Sequence, residues 1–371
     1  MSDITLVLLG AGNSTRFGLP VKKQWLWIGD EPLWLFVARR FDGFPFAKRI
    51  LVTHPKERPI FEKYCDYTVV AGGKSRQASI LNALELVRTP YVLISDIARV
   101  CVSETLIQKI LDHKGEASCI APAITPPDTV VYHNETLERS EVMLVQTPQL
   151  SKTKSLIEAF TQGEFTDESS AIRALGEDVL YIEGERKDLK LTFKEDLAQL
   201  PCLKPPAKIV RSGFGFDVHP FCNDRPLFLC GVEVPSSLGL AGHSDADVAL
   251  HALIDALLGA ASFGDIGELF PDSEEAYAGI DSKRLLQEVA QLIRSCGFRI
   301  ESVDITIAAQ TPKLQPFKSA MASTVAKILD IAKHHINIKA TTTEKLGFIG
   351  RKEGIAAMAT AQLSLYEWSE L

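Results

Sequence analysis

Short apolar runs alternate with amphipathic segments along the first half of the chain. The runs have the length and the β-branched or aromatic content of strands. They lie at residues 4–9, 49–53, 67–71, 91–95 and 117–121. Segments between them, such as 77–87 and 103–112, repeat apolar residues at helical spacing. Alternating strands and helices predict a mostly parallel sheet covered on both faces, with ligands bound beyond the carboxyl ends of its strands.

The second half has a different pattern. A strand is predicted at 212–219, because Phe214, Phe216 and Val218 are β-formers, and a helix is predicted to follow with Asp245 as its N-cap. The apolar stripe of that helix consists of Leu250, Leu253, Ile254, Leu257 and Leu258. Further helices are predicted at about 281–295 and 318–329, with a strand at 299–308 between them.

Three prolines within six residues separate the two patterns, in L-P-C-L-K-P-P-A-K at 200–208. Proline can continue neither a helix nor a central strand, so this segment is predicted to be a linker. The length of 371 residues also fits two domains of ordinary size. We therefore expect one domain at 1–203 and another at 209–371, joined by a short, semi-rigid linker at 204–208.

Histidine and aspartate are concentrated just after the linker. Asp217 and His219 stand at i and i+2 of the predicted strand, so both side chains point to the same face, and His251 lies on the following helix. One carboxylate and two imidazoles with an open fourth position are typical of a catalytic zinc site, although such ligands also suit manganese or iron. Asp255, one turn after His251, is predicted to orient its ring. A histidine packed in the core is the ordinary alternative.

Composition narrows the class of protein. Hydrophobic residues make up 46% and charged residues 23%, as in globular proteins, and the net charge of −7 argues against a general nucleic-acid or membrane-surface binder. The longest apolar stretch, 248–263, is interrupted by His251 and Asp255 and predicts a buried helix. The N-terminus lacks the basic segment of a signal peptide. The seven cysteines contain no C-x-x-C pair and are predicted to be reduced thiols in a cytoplasmic protein.

A glycine-rich turn, G-A-G-N-S-T-R-F-G at 10–18, follows the first strand. Such a turn presents backbone N–H groups to phosphate. Thr15 replaces the third glycine of a dinucleotide fingerprint, and the lack of a following G-K-[ST] excludes a P-loop. Arg16 and Lys23 come after the turn and suit a triphosphate, whose leaving pyrophosphate must be neutralised. A tight turn with solvated charges is the other interpretation of this stretch.

Residues 3–200 resemble the methylerythritol phosphate cytidylyltransferases of the non-mevalonate isoprenoid pathway. The motifs occur in the family's order: the glycine-rich opening with Arg16 and Lys23, A-G-G-x-x-R-x-x-S from residue 71, D-x-A-R from 96, T-P-Q from 147, T-D-E from 166 and K-x-T from 190. The resemblance implies a Rossmann-like α/β nucleotidyltransferase domain that transfers CMP from CTP to 2-C-methyl-D-erythritol 4-phosphate and releases pyrophosphate.

By this resemblance the catalytic residues are Arg16, Lys23 and Lys190, and magnesium accompanies the triphosphate. The implied substrate-binding residues are Gly10, Ala11, Gly12, Gly72, Gly73, Ser79, Asp96, Arg99, Arg139, Thr147 and Thr192. The chain departs from the family's usual residues at Ser14, Thr15, Lys74 and Ile97.

Residues 209–371 resemble the methylerythritol cyclodiphosphate synthases. The motifs D-V-H, H-S-D-x-D, D-I-G-x-x-F-P-D, P-K and T-T-T-E-K-L-G-F-x-G-R occur in order. The resemblance implies an α+β domain with helices on one face of a mixed sheet. Such a domain cyclises 4-diphosphocytidyl-2-C-methyl-D-erythritol 2-phosphate to the 2,4-cyclodiphosphate and releases CMP.

This second resemblance implies zinc on Asp217, His219 and His251, and magnesium on Glu344. The implied catalytic residues are His243, Lys313 and Thr342. The implied substrate-binding residues are Ser244, Asp265, Gly267, Pro312, Leu314, Thr343 and Arg351. Ala278 replaces a lysine common in the family. The site of this family lies between the subunits of a trimer, so a homotrimer or a multiple of it is expected.

Together the two resemblances predict a bifunctional enzyme for two non-consecutive steps of one pathway. Its expected partners are small-molecule substrates and further copies of the chain, with no nucleic acid and no membrane. An NAD-dependent oxidoreductase fused to a metallohydrolase is one alternative. A non-catalytic nucleotide-binding scaffold with a vestigial metal site is another.

Overall fold

The chain divides into two units, Met1–Pro205 and Pro206–Leu371, each with its own sheet. The computed structural model describes residues 2–242, 244–271 and 279–370. None of the helices described there has the length and apolar character needed to cross a membrane.

The first unit is built on an eight-stranded sheet. The strands of this unit are β1 Ile4–Leu9, β2 Trp27–Ile28, β3 Glu31–Pro32, β4 Lys48–Thr53, β5 Thr68–Ala71, β6 Tyr91–Asp96, β7 Cys119–Ile124, β8 Val130–Tyr132, β9 Glu135–Leu137, β10 Leu144–Val145, β11 Gln149–Lys152 and β12 Val179–Glu183. Its α-helices are α1 Leu33–Ala38, α2 Arg58–Tyr64, α3 Arg76–Leu84, α4 Glu104–Asp112, α5 Thr153–Gln162 and α6 Glu168–Ala174.

The large sheet is mostly parallel, as the sequence predicts. Its order is β10-β7-β11-β6-β1-β4-β5, with β12 beside β7. β1 pairs in parallel with β4 and β6, whereas β11 runs antiparallel between β6 and β7. Leu6, Val7 and Leu8 of the central strand are all fully buried, so both faces of the sheet are covered.

The predicted elements of this unit exist, with shifted ends. β1 has the predicted bounds, and Ser103 caps α4 by accepting from the Leu106 N–H. The strand predicted at 117–121 spans Cys119–Ile124 instead, and the helix predicted at 77–87 spans Arg76–Leu84. Such ends depend on tertiary contacts that local patterns do not contain.

One cysteine prediction is wrong. Cys101 and Cys202 form a disulfide across a Cα–Cα distance of 5.7 Å, while the other five cysteines are free. The paired residues are 101 positions apart, so only folding brings them within bonding range. Their spacing in the sequence therefore gave no sign of the pair.

The second unit is an α+β fold. Its strands are β13 Val210–Cys222, β14 Leu227–Leu229, β15 Val232–Val234, β16 Gly239–Leu240, β17 Phe298–Ala308, β18 Ile336–Thr341 and β19 Gly354–Leu365. Its described helices are α7 Val248–Ala261, α8 Ile266–Leu269, α9 Ser282–Ser295, α10 Lys318–Leu329 and α11 Gly347–Gly350. The main sheet has the order β16-β13-β19-β17-β18 and is mixed, because only β17 and β18 pair in parallel.

Helix α7 lies directly on the backbone of β13. A Cβ atom at Gly213 would stand 2.0 Å from the Ala256 carbonyl oxygen, and one at Gly215 would stand 1.9 Å from the Ala252 carbonyl oxygen. Two residues of a strand advance about as far as four residues of a helix, so these small residues match in register. The strand residues that follow on the same face, Asp217 and His219, therefore point toward the start of α7.

The N-cap predicted for α7 is wrong. Asp247 occupies that position, and its Oδ1 accepts the Leu250 N–H at 3.1 Å. The same carboxylate accepts the N–H groups of Cys230 at 2.9 Å and Gly231 at 2.6 Å. Asp247 is fully buried, and these tertiary hydrogen bonds select it over Asp245.

We predict that Gly215→Ala destabilises the second unit by about 3 kcal/mol, because its new methyl group would force α7 off the strand. Hydrogen exchange in peptides covering 248–261 measures the free energy of unfolding of this unit by itself. Gly259→Ala is the matched control: it lies on α7 with open space around its Cβ, so alanine should stabilise the helix slightly. Equal protection in Gly215→Ala and the parent would contradict the packing argument.

Candidate active sites

The carboxyl ends of β1, β5 and β6 surround a cavity of about 400 Å³ in the first unit. Predicted site residues that line it are Gly10, Ala11, Gly12, Arg16, Lys23, Gly73, Ser79, Asp96 and Lys190. Asn13, Gln24, Lys74, Ser75 and Arg76 are among the other lining residues. The expected convergence of strand ends is therefore present, and five cations face one space.

The glycine-rich turn is fastened to the turn that carries Lys23. Ser14 Oγ accepts the Lys23 N–H at 3.1 Å and donates to Gln24 Oε1 at 3.1 Å. Gln24 Nε2 in turn donates to the Gly12 carbonyl at 3.0 Å. Ser14 directly precedes a short 3₁₀ turn and has a left-handed backbone conformation, with φ 56°. These bonds fix Lys23 relative to the backbone N–H groups of the turn.

Close backbone contacts bring the Gly72-Gly73 segment to the same cavity. A Cβ atom at Gly72 would stand 2.3 Å from Ala11 Cβ, so only glycine allows this approach to the first turn. The Gly73 N–H donates to Ser79 Oγ at 3.0 Å. This contact ties the segment to the first turns of α3.

Lys23 titrates in an unusual environment. Burial lowers its pKa to about 8, with help from the positive charges of Lys190 and Arg16. Its Nζ donates to the Leu191 carbonyl at 3.0 Å. A bound polyanion would remove the repulsion among these cations, so the site favours a highly charged anionic ligand.

Asp96 holds the other side of the cavity together. Its carboxylate accepts from Arg76 Nε at 3.1 Å and from Lys190 Nζ at 2.5 Å. Burial would raise the pKa of Asp96, but the charges of Arg76 and Lys190 outweigh it and hold the pKa far below its usual range. Arg76 also binds the fully buried Glu168 at 2.9 Å. The carboxylate of Asp96 therefore stays ionised and positions Lys190.

Five of the site residues predicted for the first unit are not among the residues that line this cavity. Arg99 Nη1 donates to the Asp188 carbonyl at 2.5 Å, and Thr147 Oγ1 accepts the Asp96 N–H at 3.3 Å, so both stand just behind the wall. Gly72 directly precedes the lining residue Gly73, and Thr192 Oγ1 donates to the carbonyl of the lining residue Lys190 at 3.1 Å. Arg139 is exposed in a short 3₁₀ turn and donates to the Pro127 carbonyl.

The sequence interpretation missed Arg76 and Gln24 as site residues. Arg76 is the arginine of the A-G-G-x-x-R motif, three residues after the second glycine. Its position near a strand end was the available signal, but its link to Asp96 and Glu168 depends on segments 20 and 92 residues away. Gln24 directly follows Lys23 and had no signal of its own.

In the second unit, Asp217, His219 and His251 converge as predicted. Asp217 Oδ2 lies 3.1 Å from His251 Nδ1 and 3.2 Å from His219 Nε2, and the two ring nitrogens are 3.1 Å apart. Burial lowers the pKa of His219, which favours the neutral ring that binds a metal. The three atoms form a nearly equilateral triangle.

This triangle fits a divalent metal ion. Tetrahedral zinc, about 2 Å from each ligand, requires the ligand atoms to be roughly 3.3 Å apart. The observed edges of 3.1, 3.1 and 3.2 Å match that requirement closely. In the part of the chain that the structure describes, no other group of three His, Cys, Asp or Glu side chains converges in this way.

The predicted partner of the His251 ring is wrong. Asp255 Oδ1 accepts the Ile266 N–H at 2.9 Å instead. The Nε2 atom of His251 lies 3.0 Å from Ser282 Oγ and 3.1 Å from Ser244 Oγ. Helical spacing suggested Asp255, whereas Ser282 comes from α9, far away in the sequence.

The remaining predicted residues lie on loops and on short helices or their ends. Asp265 caps α8 by accepting the Glu268 N–H, and Gly267 lies on that helix. Pro312, Lys313 and Leu314 follow β17, while Thr342, Thr343 and Glu344 follow β18; these parallel strands end side by side, at Ala308 and Thr341. Exposed Arg351 pairs with Glu353. His243 and Ala278 lie outside the described residues.

Known proteins match the whole chain. The sequence model described as 2-C-methyl-D-erythritol 4-phosphate cytidylyltransferase, IspD, matches residues 4–202, and that of the YgbB family matches residues 210–364. The bifunctional enzyme IspD/IspF of a Nitratiruptor species is 63% identical over 373 residues, covering 100% of both chains. The chain belongs to the bifunctional IspD/IspF enzymes. The IspD/IspF enzyme of a Sulfurovum species is 51% identical, again over 100% of both chains.

A solved structure agrees with the assignment to the IspD/IspF enzymes. The structure of the bifunctional IspDF from Campylobacter jejuni matches with a TM-score of 0.85 and 45% identity, covering 99% of this chain and 100% of that one. The predicted fold class is therefore confirmed for both halves.

The chain thus combines a cytidylyltransferase with a cyclodiphosphate synthase and acts on small molecules. This confirms the bifunctional prediction. Nothing in the matches favours an oxidoreductase fused to a metallohydrolase, and a non-catalytic scaffold is set aside with it. IspD/IspF enzymes use divalent metal ions.

We predict that the parent protein binds one zinc ion per chain at the triangle and that His251→Ala loses it, because two ligands cannot hold zinc tightly. Equilibrium dialysis followed by elemental analysis measures the stoichiometry. His113→Ala, which removes a histidine from the end of α4 in the first unit, is the control and should keep the zinc. Full zinc content in His251→Ala would show that the triangle is not the site.

Proposed function

We propose that residues 1–203 transfer CMP to methylerythritol phosphate, that residues 209–371 close the cyclodiphosphate ring, and that 204–208 link them. The observation that carries this assignment is the contrast between the two sites. The first is a cavity lined by five cations, suited to a triphosphate, and the second is a metal-ligand triangle. The cation-lined cavity suits CMP transfer from a triphosphate, and the metal-ligand triangle suits the ring closure.

In the first reaction, a phosphate oxygen of methylerythritol phosphate forms a bond to the α-phosphorus of CTP as the bond to pyrophosphate breaks. Both reactants are anionic, so the site must neutralise charge as the transition state forms. Lys23 and Arg16 would bind the α-phosphate and the departing pyrophosphate. Lys190, positioned by Asp96, would bind the incoming phosphate together with Arg99.

Other substrate contacts in this half rest on resemblance and on placement near the cavity. Gly10, Ala11 and Gly12 would face the triphosphate. Gly72, Gly73 and Ser79 would face cytidine. Thr147, Thr192 and Arg139 would complete the methylerythritol phosphate site. Magnesium would enter with the triphosphate, since both Asp96 oxygens are already bound by cations.

In the second reaction, the 2-phosphate attacks the β-phosphorus of the cytidine diphosphate group and CMP leaves. Zinc, when bound, would supply Lewis acidity to a phosphate oxygen. Asp217, His219 and His251 would hold it and leave the fourth position open to that oxygen. The carboxylate and two imidazoles suit zinc as well as other divalent transition metals.

The remaining residues of this half would hold the two ends of the substrate. His243 and Ser244 would contact the terminal phosphate, and Asp265 and Gly267 the erythritol hydroxyls. The cytidine diphosphate would lie against Pro312, Lys313, Leu314, Thr342, Thr343 and Arg351. Glu344, exposed and bonded to Thr342 at 2.9 Å, would bind magnesium together with the substrate phosphates.

The synthase domain is proposed to assemble as a trimer. The face of β13 turned away from α7 exposes Val210 by 65%, Phe214 by 64% and Phe216 by 53%. Adjacent apolar side chains of this size are typical of a surface that another chain covers. Sedimentation of the full chain should give a mass of three chains or a multiple of three, and a stable monomer would refute the trimer.

The proposed compartment is the cytoplasm, where CTP is available.

We predict that Lys23→Ala lowers the rate of pyrophosphate release from CTP and methylerythritol phosphate by about 10²- to 10³-fold. In the parent, kcat/KM should fall as the pH rises through about 8, because Lys23 loses its charge there. Lys154→Ala, exposed on α5, is the control and should match the parent. An unchanged rate in folded Lys23→Ala would refute the proposed role of Lys23.

A further inference from the structure

The second nitrogen of the His251 ring faces a small buried network. His251 Nδ1 belongs to the metal-ligand triangle, while Nε2 points away from it toward two serines. Ser282, the first residue of α9, is fully buried, and its Oγ lies 3.0 Å from Nε2. None of the motifs described above includes Ser282.

The direction of the hydrogen bonds in this network is fixed by Asp245. Ser282 Oγ donates its single hydroxyl hydrogen to Asp245 Oδ1, 2.5 Å away. Ser282 Oγ can then act only as an acceptor toward His251 Nε2. The ring must therefore carry its proton on Nε2, which leaves the Nδ1 lone pair free for a metal.

Ser244 cannot fix the tautomer of the His251 ring in the same way. Its Oγ also lies 3.1 Å from His251 Nε2 and accepts the Ala246 N–H at 3.1 Å. Its own hydrogen can turn toward either His251 or Ser282, since Ser282 Oγ is only 3.3 Å away. Only the hydrogen of Ser282 is committed to a carboxylate.

We infer that Ser282 is a positioning residue of the metal site, which, oriented by Asp245, holds the His251 ring in the Nε2–H tautomer and aims Nδ1 at the ion. The inference rests on the metal site proposed above. It adds a role for the start of α9, which approaches the site from outside the H-S-D-x-D segment. Groups that orient a metal-bound imidazole in this way commonly contribute 10- to 100-fold to metal affinity.

The test is the zinc affinity of the full chain without substrate, measured by competition with a chelator. Ser282→Ala should bind zinc about 10- to 100-fold more weakly than the parent. Ser295→Ala removes a hydroxyl from the other end of α9, where it donates to the Leu292 carbonyl at 2.9 Å, and should bind zinc like the parent. Ser282→Ala binding as tightly as the parent would overturn the inference.

Asp245→Asn is a second test of the same network. It leaves Ser282 in place and is therefore informative even if Ser282→Ala does not fold. It should also weaken zinc binding, because Ser282 is then free to reverse its hydrogen bond. Since Asp245 acts through Ser282, the double variant should be no weaker than Ser282→Ala alone, whereas additive losses would contradict the proposed chain of contacts. A parent that binds no zinc would overturn the metal site itself, a distinguishable result.

Discussion

The contact between α7 and the glycine positions of β13 determines the geometry of the second unit. With no side chain at Gly213 or Gly215, the helix backbone rests on the strand at distances that any Cβ would prevent. Asp217 and His219 share that strand face and so meet His251 near the helix start. The ligand triangle is thus a consequence of main-chain packing, which is more rigid than an arrangement of loops.

In the first unit, the main physical constraint is the concentration of positive charge in the cavity. Its cavity gathers several cations around Asp96, the one carboxylate among the described lining residues, and Arg76 also pairs with the buried Glu168. Burial lowers the pKa of Lys23, and the positive charges of Lys190 and Arg16 lower it further. A triphosphate would supply the missing negative charge, so its binding would neutralise the positive charge of this site.

Sequence patterns identified most of the fold and the centre of each site. β-forming residues indicated β13 and helical spacing indicated α7, and the i, i+2 relation of Asp217 and His219 was enough to predict a shared face. The failures arose where distant segments decide the outcome. Asp245 and Asp247 are equivalent by local rules, but only Asp247 receives the N–H groups of Cys230 and Gly231.

The same cause explains the other errors. Asp255 has the right helical spacing to His251, yet Ser282 of a different helix occupies the space beside the ring. Cys101 and Cys202 carry no pattern that links them, and Arg76 acquires its role only through Asp96 and Glu168. Glycines at 213 and 215 facing alanines at 252 and 256 were a visible signal of close packing that the periodicity analysis did not use.

The central claim is that the two units carry two different reactions at separate sites. The most direct test is to assay Asp217→Ala for both reactions on one folded preparation. The account predicts that release of CMP with ring closure is abolished while pyrophosphate release from CTP and methylerythritol phosphate stays close to the parent rate. Loss of both activities together, with the fold intact, would contradict the assignment of two independent sites.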